Sequence, residues 1–185
     1  MEPVVLRTAR LELSAPTAAD AEAIAEAAQD PDIRRYTRLP WPYEVSHAVE
    51  FAEIARRGWT EGTEPTWAIR APELAGMIGL NRIDGGAAEI GYWLAASARR
   101  RGYATEAARA VVDWGLDPDG LGLQRIEWLA IVGNTASAAV ARGLGFRYEG
   151  LLRGGVETPR GRHDGWIAGL LAGDARTAQP WPALG

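Results

Sequence analysis

The sequence predicts one mixed α/β domain, on three observations. Segments with alternating apolar and polar residues, which are typical of strands, are interleaved with segments of helical character. No stretch rich in proline, glycine and serine divides the interior of the chain, so no linker is indicated. The chain has 185 residues, of which 47% are hydrophobic, and this is enough for one sizeable core.

The N-terminal half predicts a strand, two helices and three short strands. Alternating leucines indicate a strand over residues 4–15. Thr17 and Asp20 have the spacing of a capping box, and the helix they begin is expected to stop at Asp30-Pro31. Residues 34–43 hold two prolines and are predicted to be irregular. The other elements of this half are a helix that follows Ser46 and strands over residues 67–71, 77–83 and 88–94.

The C-terminal half predicts two helices, one strand between them and a closing hairpin. The helices are expected over residues 105–116 and 135–144, the strand over 124–132, and the hairpin strands over 146–153 and 164–171. The last residues, with two prolines around Trp181, are predicted to be a tail. The domain is therefore expected to span residues 1–172, and the tail residues 173–185.

The composition excludes several kinds of chemistry. All 20 basic residues are arginine, cysteine is absent, and there are only two histidines. A Schiff-base lysine, a disulfide and a cysteine nucleophile are therefore impossible, and a histidine zinc site is disfavoured, so no metal is expected. The net charge of −4 does not predict nucleic-acid binding. No apolar run has the length of a membrane span or a signal peptide, which predicts a cytoplasmic protein without a membrane partner.

A basic, glycine-containing segment joins the third short strand of the N-terminal half to the following helix. The first amides of a helix lack intrahelical partners and lie at the positive end of its dipole, so they bind anions. A glycine accepts a positive φ there, and arginines add charge that pairs well with phosphate oxygens. The segment predicts a pyrophosphate site, with an ordinary solvated loop as the alternative. It consists of Arg99, Arg100, Arg101, Gly102, Tyr103, Ala104 and Thr105.

A second motif makes the pattern more specific. Asn134-x-x-Ser137 begins a helix that closes before Gly145-Phe146. Together with Arg99-x-x-Gly102-x-Ala104 and Thr105-Glu106-Ala107, it resembles the GNAT superfamily of acetyl-CoA-dependent N-acetyltransferases. Ile90-Gly91-Tyr92-Trp93-Leu94, Glu149-Gly150 and the opening residues 6–11 resemble the ribosomal-protein (RimJ/RimL-type) group of that superfamily. The resemblance covers nearly the whole chain, although Ala96 stands where that group often has proline.

The resemblance implies a fold and a place for the cofactor. The fold is a central, mostly antiparallel sheet with a splayed strand pair, flanked by about four helices. Pantetheine would lie in the gap between residues 92–95 and 128–132 and pair with the backbone of Leu94 and Ala95. The pyrophosphate would lie over residues 99–105, and the Leu94 amide or a neighbour would hold the developing oxyanion.

The resemblance also implies catalytic roles. Asn134 would orient pantetheine, and Ser137 would protonate the leaving thiolate. Alternation along the strand places Glu89 on the same face as Gly91 and Trp93, and this makes it the candidate general base, with a relay through water as the alternative. Glu106 also matches a family position and is interpreted as structural, since a first-turn glutamate stabilises the helix dipole. Three further residues are candidates for the acceptor side: Trp41 and Trp59, which would line its pocket, and Asp164, which would either bind the amine or fix the final hairpin.

The expected reaction is acetyl transfer from acetyl-CoA to a primary amine by direct attack, with a protein or peptide N-terminus as the leading acceptor. A small-molecule amine, a non-catalytic acyl-CoA sensor and a regulator that binds another diphosphate are the alternatives. A monomer or a homodimer is expected.

Overall fold

One eight-stranded sheet runs through the computed structural model, which describes residues 1–184. The strands are β1 (Leu6–Arg7), β2 (Glu12–Ser14), β3 (Thr66–Arg70), β4 (Leu74–Asp84), β5 (Ala87–Leu94), β6 (Arg125–Ile131), β7 (Arg147–Thr158) and β8 (Gly161–Leu171). Five α-helices accompany them within the described range: α1 (Ala21–Ala27), α2 (Pro31–Tyr36), α3 (Val45–Glu61), α4 (Tyr103–Leu116) and α5 (Thr135–Gly143). The predicted mixed α/β domain is confirmed.

The sheet is antiparallel except at one pair of strands. Its order is β1-β2-β3-β4-β5-β6-β8-β7, and β5 and β6 are parallel neighbours. Their pairing ends at Ile90 and Trp128, after which β5 continues beside β4 and β6 continues beside β8. The sheet therefore opens at its centre, and this confirms the predicted splayed pair.

Small residues let the helices pack closely on the sheet. Ala107 and Ala108 of α4 and Ala138 of α5 are fully buried in the larger core cluster. A second cluster packs α1 and α3 against Ala68 and Met77. Burial of these apolar surfaces drives the association of the layers, at roughly 25 cal/mol per Å² of apolar surface.

The beginning of the chain differs from the sequence-based prediction. The expected strand over residues 4–15 is instead two short strands, since the Thr8 hydroxyl accepts a hydrogen bond from the Leu11 amide at 2.9 Å and closes a turn. The predicted capping box of Thr17 and Asp20 is present.

The segment after the first helix is also more regular than predicted. Asp30 caps α2 by accepting hydrogen bonds from the amides of Asp32 at 2.9 Å and Ile33 at 3.1 Å, and Pro31 occupies the first helical position. Aspartate at the cap and proline at the next position both favour a helix start. Asp30-Pro31 therefore ends one helix and begins another.

The expected C-terminal tail packs back onto the domain. Trp181 is only 2% exposed and contacts the rings of Trp128 and Tyr148. Its indole nitrogen donates to the Phe146 carbonyl at 3.0 Å. The domain boundary predicted at residue 172 is therefore wrong, because this indole completes the core. Between residues 1 and 184, no helix is long and apolar enough to cross a membrane.

Candidate active site

A cavity of about 600 Å³ opens where β5 and β6 diverge. The end of β5, the segment before α4, the start of α5 and one face of α2 form its walls. Tyr36 of α2 donates from its hydroxyl to the Gly133 carbonyl at 3.2 Å and so connects two of these walls. The volume lies within the usual range for ligand sites.

The edge of β5 presents backbone groups to this cavity. The Ala95 amide donates to the Ala75 carbonyl of the neighbouring chain segment at 2.9 Å, so it is directed away from the gap. Successive residues of a strand direct their amides to opposite edges, and the Leu94 amide therefore faces the gap. Leu94 lines the cavity, whereas Ala95 does not. Of the two residues predicted to pair with pantetheine through their backbone, only Leu94 therefore presents its amide to the gap.

The start of α4 supplies unpaired amides to the same cavity. Gly102 precedes the helix with φ +79°, a conformation that glycine adopts at little cost. The first amide to donate back is that of Glu106, to the Gly102 carbonyl at 3.1 Å. The amides before it have no intrahelical partner, and Tyr103, Ala104 and Thr105 line the cavity. The arrangement is suited to an anion, as the sequence predicts.

The three arginines of the basic segment have different surroundings. Arg100 lines the cavity, has φ +62°, and among residues 1–184 has no carboxylate within ion-pair distance. Arg101 does not line the cavity, and its carbonyl accepts from the Arg10 guanidinium at 2.9 Å. Arg100 alone of the three therefore combines a position at the cavity with a charge that no carboxylate neutralises.

Arg99 ties the basic segment to α2. Its guanidinium donates to Asp30 at 2.7 Å and to Asp32 at 3.3 Å, and its Nε donates to the Leu94 carbonyl at 3.2 Å. Burial alone would raise the pKa of Asp30, but hydrogen bonds from Arg99 and from the first amides of α2 outweigh it and lower that pKa. Arg99 lines the cavity, yet its charge is already neutralised, so the geometry does not support its predicted role as a phosphate contact.

A short chain of hydrogen bonds surrounds Ser137 at the end of the cavity near β6. The Trp128 indole donates to the Ser137 hydroxyl at 2.9 Å, and that hydroxyl donates to the Tyr92 hydroxyl at 3.1 Å. Tyr92 donates in turn to the Ser137 carbonyl at 3.0 Å. The direction of the chain is fixed, because an indole N–H can only donate and a carbonyl can only accept.

Tyr92 is a cavity residue to which sequence reasoning gave no role. Burial raises its pKa well above the ordinary value, against smaller opposing effects of Ser137 and Trp128, so its hydroxyl is protonated and donates. The available signal was its position: Tyr92 lies in the segment 92–95 that the resemblance placed beside pantetheine, and Tyr92, Trp93 and Leu94 all line the cavity.

Asn134 begins α5 and borders the cavity. Its side-chain oxygen accepts from the Ser137 amide at 3.3 Å, which is the ordinary role of an N-cap. Across residues 1–184 its side-chain nitrogen has no protein acceptor, so this donor is available to a ligand.

Comparison with known proteins identifies the family. Residues 10–147 match the Acetyltransferase (GNAT) domain family. The chain belongs to the GNAT acetyltransferase family. This acetyltransferase is 33% identical over 162 residues to a Bacillus licheniformis protein named uncharacterized N-acetyltransferase p20, covering 85% of this chain and 89% of that protein.

Solved structures share the fold of this acetyltransferase. The microcin C7 self-immunity acetyltransferase MccE, solved with acetyl-CoA and AMP, is 25% identical with a TM-score of 0.78, covering 89% of this chain and 93% of that one. Mycobacterium smegmatis RimJ, solved with CoA-disulfide, is 23% identical with a TM-score of 0.80, covering 93% and 90%.

Two carboxylates of the acetyltransferase lie outside the cavity wall. Glu89 is held between Arg82 at 3.1 Å and Arg38 at 3.5 Å and does not line the cavity. Asp164 accepts from the Gly154 amide at 2.7 Å and so fixes the β7–β8 hairpin. The structure does not bring either carboxylate to Ser137, and the second of the two roles considered for Asp164 is the one its geometry favours.

Glu106 has a structural environment in this acetyltransferase. It accepts from the Thr8 hydroxyl at 2.6 Å and from the Arg10 Nε at 2.7 Å, which joins α4 to the β1–β2 turn. The Thr8 hydrogen bond is the main cause of its lowered pKa; burial opposes that shift and Arg10 adds to it. These contacts agree with its interpretation as a structural residue.

The two tryptophans predicted at the acceptor side differ in their exposure to solvent. Trp59 is 0% exposed, donates from its indole to the Thr66 carbonyl at 2.9 Å and packs against Trp67 and Trp114. It cannot line a pocket, and that prediction is wrong. Trp41 is 44% exposed and borders a second, smaller pocket beside α2. Over residues 1–184, no group of three or more histidine and carboxylate side chains is placed to hold a metal ion.

Proposed function

We propose that this acetyltransferase transfers the acetyl group of acetyl-CoA to the N-terminal amine of a protein or peptide. The observation that carries the proposal is the meeting of three groups in one cavity: the outward-facing Leu94 amide, the unpaired amides of α4 and the Ser137 hydroxyl. Each group would contact a different part of bound acetyl-CoA: the thioester carbonyl, the pyrophosphate and the sulfur, respectively.

The pyrophosphate of acetyl-CoA would occupy the start of α4. The unpaired amides before Glu106 and the positive end of the helix dipole favour negative charge there. Arg100 adds a guanidinium, which pairs strongly with phosphate oxygens. Pantetheine would then run into the gap between β5 and β6, where the Asn134 side-chain nitrogen can bind one of its amide carbonyls, which leaves the Leu94 amide for the thioester.

The chemistry needs no nucleophile from the protein. The neutral amine attacks the thioester carbonyl carbon, and the Leu94 amide stabilises the oxygen as it gains negative charge. When the tetrahedral intermediate collapses, the carbon–sulfur bond breaks and the CoA thiolate takes a proton from Ser137, which regains one from solvent. The nitrogen loses its extra proton to solvent. Holding amine and thioester in line supplies much of the rate enhancement.

A protein carboxylate is not required to deprotonate the acceptor. Glu89 and Asp164 engage other partners away from the cavity wall, so they are not assigned as the base. The pKa of a terminal amine is about 8, and a substantial share of it is therefore neutral near physiological pH. We assign the deprotonation of the acceptor ammonium group, before it attacks, to water in the cavity.

A small-molecule amine is the second candidate acceptor. MccE, at 25% identity, is a self-immunity acetyltransferase whose structure holds AMP beside acetyl-CoA. The peptide acceptor is favoured by the sequence resemblance of residues 90–94 to the ribosomal-protein acetyltransferases.

A thiol-release assay tests the proposal, because this chain has no cysteine that could add to the signal. Acetyl-CoA is supplied with a panel of short peptides that have free N-termini, with the same peptides N-acetylated, and with polyamines and aminonucleosides. We expect release only with free amines, and faster release with peptides. Release with small amines alone would select the second candidate. If acetyl-CoA raises the melting temperature but no amine releases thiol, the chain is a sensor and not an enzyme.

A further inference from the structure

A second pocket, of about 380 Å³, lies beside α2. We call it the arginine pocket. Its lining residues are Gln29, Pro31, Arg34, Arg35, Trp41 and Arg160.

The arginine pocket concentrates positive charge that the protein does not neutralise. Within the described residues, none of Arg34, Arg35 and Arg160 has a carboxylate within 4.0 Å, whereas Arg38 and Arg99 nearby are both paired. Three like charges around one concavity repel each other, and an anion that binds there relieves that repulsion. The accumulation stands out in a chain whose net charge is −4.

The guanidinium groups of the pocket are held in place. The Arg34 guanidinium lies over the Trp41 ring, 4.2 Å from its centroid. Arg160, at the β7–β8 turn, donates to the Arg35 carbonyl at 2.7 Å and so anchors its side chain on α2. A group that is already positioned loses less entropy when it binds a ligand, so this pocket is prepared for an anion.

Helix α2 separates the arginine pocket from the catalytic cavity. Ile33 and Tyr36 line the cavity, whereas Arg34 and Arg35 line the other pocket. An α-helix with its side chains is about 10 Å across. A ligand that reaches both sites must therefore span at least about three extended residues, at roughly 3.4 Å each.

We propose that the arginine pocket binds the carboxylates of an acidic acceptor peptide, about three residues after the amine that is acetylated. Arginine and carboxylate pair through two parallel hydrogen bonds, and the exposed Trp41 ring offers an apolar surface to the peptide stem. The distance across α2 favours a chain over a compact molecule. This inference rests on the proposed transfer to a peptide amine and names the class of peptide.

Two sets of peptides and two double variants test the proposal. One peptide set carries glutamate at positions three and four, and the matched set carries glutamine there. The pocket variant is R34Q/R160Q. The control is R57Q/R109Q, which removes the same charge from exposed arginines that, in the described part of the chain, have no ion-pair partner and line neither pocket.

The ratio of kcat/KM for the acidic peptide to that for its amide counterpart is the first readout. We expect about a tenfold preference for the acidic peptide in the wild type and in the control, and about twofold or less in the pocket variant. Equal ratios in all three proteins, or no preference in the wild type, would overturn the proposal.

Direct binding separates this inference from the proposed function. Calorimetry with N-acetylated acidic peptides needs no turnover, and we expect the pocket variant to bind about tenfold more weakly than the control. If no amine is acetylated but this difference remains, the proposed reaction fails and the pocket stands. If AMP binds the pocket and displaces the acidic peptide at lower concentration than the peptide itself requires, the pocket selects phosphate and the proposal is overturned.

Discussion

Ser137 and Tyr92 are joined by two hydrogen bonds: the serine hydroxyl donates to the tyrosine hydroxyl at 3.1 Å, and the tyrosine donates to the serine carbonyl at 3.0 Å. The Trp128 indole donates to the hydroxyl oxygen of Ser137. The proton that Ser137 would give to the thiolate is thus directed at the Tyr92 hydroxyl in this structure. For Ser137 to act as the donor, its hydroxyl must rotate away from Tyr92 and towards the sulfur of the bound thioester.

Ser137→Ala removes the proton donor and is expected to lower kcat by about a hundredfold, with little change in the Kd for acetyl-CoA. Tyr92→Phe removes only a partner of that donor and should lower kcat by about tenfold or less. Steady-state kinetics with calorimetry for CoA separate the two quantities, and Ser46→Ala on the exposed surface of α3 is the control. A larger loss for Tyr92→Phe than for Ser137→Ala would assign the proton to the tyrosine instead.

The same substitution is expected to change different properties at Arg99 and Arg100: protein stability at Arg99 and affinity for acetyl-CoA at Arg100. Arg100→Gln should weaken acetyl-CoA binding by about tenfold, more at low salt, and leave the free energy of unfolding unchanged. Arg99→Gln should reduce the free energy of unfolding by about 1–2 kcal/mol, because it leaves Asp30 without its partner. Calorimetry and urea unfolding measure the two effects.

The same pair of variants can refute the assignment. Asp30→Asn keeps the α2 cap, so adding it to Arg99→Gln should cost little beyond the single change. Unchanged stability of Arg99→Gln together with lost affinity for acetyl-CoA would restore the phosphate role that the sequence predicts for Arg99.

Gly102→Ala tests the backbone at the start of α4. At φ +79° a Cβ is strained, and the substitution should reduce the free energy of unfolding by about 1 kcal/mol and weaken CoA binding. Gly143→Ala is the matched control: this helical glycine has open space around it, and the change should be neutral or stabilise by about 0.5 kcal/mol. Equal effects at both sites would contradict the special role of the positive φ.

Trp181→Ala tests whether the C-terminal segment belongs to the domain. The lost burial and the cavity left beside Trp128 should reduce the free energy of unfolding by about 3–5 kcal/mol. The exposed Trp41→Ala should change it by about 0.5 kcal/mol or less. Chemical denaturation of both variants measures the difference. Two equally small effects would contradict the claim that Trp181 is part of the core.

Local signals in the sequence predict much of the fold and part of the site. The capping box at Thr17 and Asp20, the break at Asp30-Pro31 and the glycine before α4 each depend on neighbouring residues alone, and the structure contains them. The splayed strands follow from the resemblance to the family and are confirmed.

The remaining features depend on contacts between distant parts of the chain. Arg99 and Asp30 are 69 positions apart, so the sequence could not indicate which of three adjacent arginines is neutralised. Trp181 packs on β6 in the same long-range way. The burial of Trp59, by contrast, follows a local pattern: Ala48, Ala52, Ala55 and Trp59 recur at helical spacing and share the buried face of α3.

The most direct test of the central claim is a mass-spectrometric analysis of a peptide incubated with acetyl-CoA and this protein, with thiol release followed in parallel. We predict one acetyl group per peptide, located on the α-amine, one thiol released for each acetyl transferred, and no acetyl left on the protein. Thiol release without an acetylated amine, or an acetylated protein intermediate, would contradict direct transfer in this cavity.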